Sequence, residues 1–132
     1  MAVRLLLFVV GLYHALNALA MLLFPREWAA TVVHLNTATP LQLHFIADIG
    51  MAFLASGAAM IWSARRGIAF APWAIAGAAW PALHGAIHLY DWVMMGLPAT
   101  TRDILSEGIG VIAIGLAGIA LAGLRQRQGA TH

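Results

Sequence analysis

The chain has no cysteine, no lysine and very little charge of either sign. Without cysteine there can be no disulfide, no thiolate-held iron–sulfur cluster and no thiolate zinc site. Without lysine there is no Schiff base, so neither pyridoxal phosphate nor retinal can attach covalently. Charged residues are 9% of the 132, against roughly a quarter in a soluble domain. Hydrophobic residues are 62% and the mean hydropathy is +0.85. A chain this apolar cannot cover its own surface in water, so over most of its length the solvent must be lipid. Soluble enzymes, nucleic-acid-binding modules and disordered linkers are excluded. The pI of 9.9 reflects a surplus of only two positive charges and gives no argument for nucleic acid.

Four apolar stretches stand out, at about 3–24, 41–64, 68–95 and 103–124. Each has roughly 20 or more residues, enough to cross a hydrocarbon core of ~30 Å as a helix rising 1.5 Å per residue. Helix is required, because lipid offers no partner to a strand edge. The first stretch has the outline of a signal peptide, with Arg4 ahead of an apolar run. The run is too long for one, and Tyr13, His14 and Asn17 interrupt it, so it is expected as a retained helix. The connections are short apart from Pro25 to Pro40, which reads as a loop, and short connections make successive helices antiparallel neighbours. The expected fold is all-α: a single domain forming an up-down, four-helix integral membrane bundle.

Arginine sets the expected orientation. Arg4, Arg65, Arg66, Arg125 and Arg127 fall at one end and only Arg26 and Arg102 at the other. The positive-inside rule then places both termini in the cytoplasm of a bacterial inner-membrane protein. Trp28 and Trp92 would mark the outer interface, and Trp62 and Trp73 the inner one. The many glycines in these helices fit close packing without side-chain bulk. Pro81, inside the third stretch, is either a packing kink or a bend that opens room beside His84.

Ionisable groups inside lipid are costly, so their positions are informative. His44 and Asp48 are four apart; His84, His88 and Asp91 follow at i, i+4 and i+7; Glu107 lies on the last helix and His14 and Asn17 on the first. Counted from the outer boundary, these groups lie at depths of roughly 5–18 Å, in the outer half of the bundle. Histidines one turn apart present two imidazoles to one ion, and neighbouring carboxylates complete a shell. His44, Asp48, His84, His88, Asp91 and Glu107 are therefore candidate ligands for a transition metal. Mixed imidazole and carboxylate suits iron, manganese or zinc. Thioethers from Met21, Met51, Met94 and Met95 would favour copper, although methionine is more often gap-filling core.

His14 and Asn17 are candidate cofactor contacts. A histidine pair such as His14 or His44 with His84 or His88 could ligate haem b axially, although nearby carboxylates disfavour a haem pocket. A quinone is the other alternative, with imidazole and carboxylate bonding its carbonyls. The bland alternative is a polar network between helices, with His34 solvated, His132 a free tail residue and Asp103 a helix cap.

Two segments, His44-Phe45-Ile46-Ala47-Asp48-Ile49-Gly50 and Leu83-His84-Gly85-Ala86-Ile87-His88-Leu89, resemble those of uncharacterised proteobacterial members of the DoxX-like group of small four-helix membrane proteins. The likeness extends through the four stretches in order. It implies association with membrane redox complexes, including thiosulfate–quinone oxidation and oxidative-stress systems, and brings no catalytic residue to any position here. The expected function is a metal-binding, redox-linked membrane protein acting on an apolar substrate. The alternatives are haem b or quinone binding, or a non-enzymatic subunit docked on a larger membrane complex or on a second copy of itself.

Overall fold

The computed structural model describes residues 1–130, and within them the chain is helical throughout its long segments. The order is α1 (Ala2–Leu23), α2 (Pro25–Val32), α3 (Pro40–Arg65), a single 3-10 turn (Ile68–Phe70), α4 (Ala71–Met95), α5 (Thr101–Leu105), a π-helical stretch (Ser106–Ala113) and α6 (Ile114–Ala130). α5, the π stretch and α6 run on without a break. His132 lies outside the described residues.

Helix starts follow local chemistry. Thr39 caps α3 in a reciprocal box: its hydroxyl oxygen accepts from the Gln42 backbone N–H, and the Gln42 side chain accepts from the Thr39 N–H. Pro40 then occupies the first helical position, where a missing N–H costs nothing. Thr100 starts α5 in the same way, accepting from the Asp103 N–H while its hydroxyl donates to the Asp103 carboxylate.

The long connection expected as a loop contains a helix instead. Pro25 ends α1 but also stands at the first position of α2, so one residue does both tasks. α2 is held by its own buried face: Ala29 is fully buried, and the Trp28 indole N–H donates to Asn17 Oδ1 on α1 at 3.0 Å. It ends where His34 takes the left-handed backbone, φ 56°.

α1 packs along α3, α3 along α4, and α4 along the π stretch and α6, with α1 closing against α6. One core cluster, around Leu7, Met60, Ala74, Ala78 and Ala122, lies toward the arginine end. The other, around Ala18, Met21, Ile46 and Phe53, lies toward α2. The α1–α3 contact is close: a Cβ on Gly57 would stand 2.6 Å from the Gly11 carbonyl oxygen and 2.8 Å from the Ala15 nitrogen. Only a residue without a side chain permits that approach.

Outside these cores the surface is apolar. Leu5, Val9, Leu16, Phe45, Leu83, Ile87, Val93 and Met95 are all exposed, far more apolar surface than a water-soluble monomer shows. Among the described residues three helices are long and apolar enough to cross a membrane: α1, α3 and Thr101–Gln128. α4, 25 residues long, falls short of the same apolarity. Its deficit comes from Pro72, Trp73, Trp80, Pro81, His84, His88, Tyr90, Asp91 and Trp92. The helix with the most polar chemistry is thus the one that hydropathy recognises least.

At the arginine end, Arg125 is buried, 4% exposed, and its guanidinium donates to the carbonyls of Arg66 at 2.9 Å and Gly67 at 3.2 Å, with Ser63 at 3.5 Å. Arg4 Nε donates to the Ala64 carbonyl at 2.7 Å. Two arginines from other helices therefore donate to carbonyls at and just beyond the end of α3, where Ser63 and Gly67 also accept from the Arg66 and Phe70 N–H groups.

Candidate functional site

His14 is the most buried ionisable group toward the α2 end of the helices, 1% exposed, and neither ring nitrogen has a hydrogen-bond partner among the described residues. Its ring stacks on Phe53 of α3, with centroids 5.2 Å apart and planes 12° apart. Phe53 in turn meets His84 of α4 edge-on at 5.5 Å. His84 stacks on Trp80, 5.7 Å away and one turn earlier, and meets His88 at 4.9 Å, one turn later. These two spacings are the ordinary i, i+4 geometry of a helix face.

The array continues to Glu107. His88 Nδ1 is 3.5 Å from Glu107 Oε2, and the Trp92 indole N–H donates to the same oxygen at 2.8 Å. His88 and Glu107 side chains are each about one third exposed, 30% and 34%. Glu107 sits in the first turn of the π stretch, a rare, wider form of helix that frequently occurs at functional sites. Gly108, beside it, has no side chain to obstruct Trp92: a Cβ there would come within 2.9 Å of the indole ring. On the other side Tyr13 donates to the Gly110 carbonyl at 3.0 Å, tying α1 to the π stretch. A line of aromatic and imidazole rings thus runs from the buried centre to a carboxylate held by an indole.

The other expected site residues lie differently. His44 and Asp48 pair with each other at 3.4 Å, one turn apart, with side chains 69% and 45% exposed. Among the described residues no hydrogen bond, ion pair or ring contact joins them to His84, His88 or Glu107. Asp91 is exposed and takes part in no ion pair among the described residues. Asn17 accepts from Trp28 and donates weakly to Met21 Sδ, so its polar atoms are engaged in fixing α2. His34 contacts Asp103 at 3.1 Å instead of standing free in solvent. Arg102 donates to the Thr31 carbonyl at 2.7 Å, leaving Glu107 to Trp92 and His88.

Three contributors escaped the sequence argument: Phe53, Trp80 and Trp92. Aromatic residues on apolar helices look like core or interface anchors, and nothing local marks Phe53 out. Trp92 carried a usable signal, because it lies at the depth of Glu107 across the α4 hairpin.

The residue set can be weighed against each group. Among the described residues no cluster of three or more His, Cys, Asp or Glu side chains could hold a metal ion as they stand; the ligands come in pairs. A bis-histidine haem needs an open slot between two imidazoles, whereas Phe53 packs against both His14 and His84. A quinone-type ring needs aromatic faces to stack on, N–H donors for its carbonyls and a proton acceptor. Residues of these types are present in Phe53, Trp80, His14, His84 and the His88–Glu107 pair, but they are stacked on one another, so a guest ring has to part the same Phe53 packing that closes the slot to haem. Compared with protein-family models, curated proteins and solved structures, the chain matches none.

Proposed function

We propose that the chain is a four-helix integral membrane protein whose outer half binds a quinone-type ring at the array running from His14 to Glu107. In this reading α4 is the fourth span. Its 25 residues rise to roughly 37 Å, more than the ~30 Å of a hydrocarbon core. It is flanked by α3 and α6, and its histidines lie half-buried against neighbours rather than bare to lipid. The five-to-two arginine asymmetry supports a bacterial inner membrane with cytoplasmic termini.

One observation carries the ligand: a buried imidazole with two unpartnered nitrogens. Leaving such a group without a hydrogen bond in an apolar interior costs about 1–3 kcal/mol. A ring carbonyl accepting from the His14 N–H removes the donor's share of that cost, and the surrounding rings favour a flat aromatic guest. Protons enter and leave at the other end of the array, where His88 contacts Glu107 and both side chains are partly exposed. In this reading the array handles protons, and the electrons are supplied by a redox partner in the same membrane. This agrees with the resemblance to the DoxX-like group.

Metal binding is the second reading, favoured by the convergence of His88 and Glu107 on one spot. It needs a third ligand to move in, His84 or Asp91 being nearest along α4.

Titration of purified protein with a short-chain benzoquinone, followed by tryptophan quenching, tests the first reading. Saturable quenching that is lost in His84→Phe supports it. Linear, collisional quenching identical in the variant contradicts it. Elemental analysis of the same preparation tests the second: a stoichiometric metal that disappears in His88→Ala transfers the assignment.

A further inference from the structure

Negative charge is confined to one end of this chain. All five acids (Glu27, Asp48, Asp91, Asp103 and Glu107) lie toward the α2 end, and five of the seven arginines lie at the other. No carboxylate therefore neutralises Arg4, Arg65, Arg66, Arg125 or Arg127 at their own end among the described residues. The structure separates these arginines by task. Arg125 is occupied by three carbonyls. Arg66 is stacked 4.3 Å over Trp62 and 5.9 Å from Phe70. Arg4 gives only its Nε to Ala64, leaving its terminal N–H groups, and Arg65 makes no hydrogen bond or ion pair among the described residues.

Arg4 and Arg65 meet at one place. A groove of about 560 Å³ between the start of α1 and the end of α3 is lined by Met1, Arg4, Leu5, Phe8, Ala64 and Arg65. Its lining combines two guanidinium groups that have spare donors with the apolar side chains of Leu5 and Phe8. Leu5 is 63% exposed and continues onto the lipid-facing surface of α1. Planar guanidinium forks match phosphate oxygens, and the apolar wall matches the first carbons of an acyl chain. We infer that this groove binds an anionic phospholipid, its phosphate between Arg4 and Arg65 and a chain along Leu5 and Phe8. The inference rests on the membrane-spanning reading but is independent of any ligand at the His14–Glu107 array.

The full chain is first reconstituted into phosphatidylcholine bilayers, where resistance to alkaline extraction tests spanning alone. Phosphatidylglycerol is then mixed in, and the lipid that co-purifies with the protein on extraction in mild detergent is quantified. Phosphatidylglycerol is expected to be enriched over phosphatidylcholine. Its enrichment should fall about fivefold in Arg65→Gln. That substitution breaks no contact within the fold and so avoids the risk that Arg4→Gln uncaps α3. Arg127→Gln, an exposed arginine at the same end, should leave enrichment unchanged. No enrichment in a chain that does span, or equal losses in the Arg65 and Arg127 variants, would overturn the site. Displacement of the lipid by inorganic phosphate alone would also overturn it, by identifying a simple anion site.

Discussion

Trp92 donates its indole N–H to Glu107 Oε2 at 2.8 Å, joining α4 to a helix that has widened into a π turn around the carboxylate. The indole also lies against Gly108, where an added Cβ would come within 2.9 Å of the ring. Together the three residues hold an acid within reach of His88, where it can exchange a proton with the imidazole array.

The Trp92–Glu107 coupling is measurable by a double-mutant cycle. Trp92→Phe and Glu107→Gln, singly and together, should show an interaction of about 0.6 kcal/mol, the average for side-chain hydrogen bonds in a membrane protein. Unfolding in mixed micelles supplies the values. Strict additivity would mean that the bond is not formed in the folded protein.

His14→Phe should leave the protein as stable as the parent or stabilise it, by about 1–3 kcal/mol, since it replaces an unsatisfied buried polar ring with an apolar ring of similar shape against Phe53. Ring binding should be lost in the same variant. A sharp fall in stability would show that the His14 nitrogens have partners in the protein.

At the α1–α3 contact, Gly57→Ala should destabilise by about 1–3 kcal/mol, because its methyl group would meet backbone atoms that cannot rotate away. Gly67→Ala is the control: nothing lies within 4 Å of the added carbon and its backbone is ordinary, φ −62°. Its effect should stay within about 0.5 kcal/mol. Thermal midpoints of the two variants in one detergent check the contrast.

Arg125→Gln removes a buried guanidinium from the end of α3 and leaves carbonyls of Arg66 and Gly67 without that donor. A loss of about 1.5–3 kcal/mol is expected, with faster amide exchange in the last turn of α3. Arg127→Gln, on the exposed side of the same helix, should change stability by less than about 0.5 kcal/mol. Similar losses in both variants would show that charge at this end, and not the cap, is what matters.

The helical class and the three strongly apolar helices were legible because long runs without charge have one solution in lipid. The structure begins α3 at Pro40, α4 at Ala71 after the 3-10 turn, and the last continuous helix at Thr101. α2 was hidden because Pro25 signals both an end and a beginning, and an eight-residue helix stabilised by Trp28 and Ala29 has little periodicity to show. Depth alone brought His14, His84, His88 and Glu107 to one level, and ring and carboxylate contacts link them. Depth could not tell which way a side chain faces around a helix. His44 and Asp48, at a similar level, turn to each other on an exposed surface. The π stretch had no local signal beyond its glycines, one of which, Gly108, lies against the Trp92 ring of another helix.

The most direct test of the central claim is nitrogen NMR of the protein with ¹⁵N-labelled histidine side chains in bilayers, with and without a short-chain quinone. The account predicts that His14 and His84 resonances move on addition of the ring while that of His44 stays fixed. Unmoved His14 and His84 signals, or a change confined to His44, would contradict it.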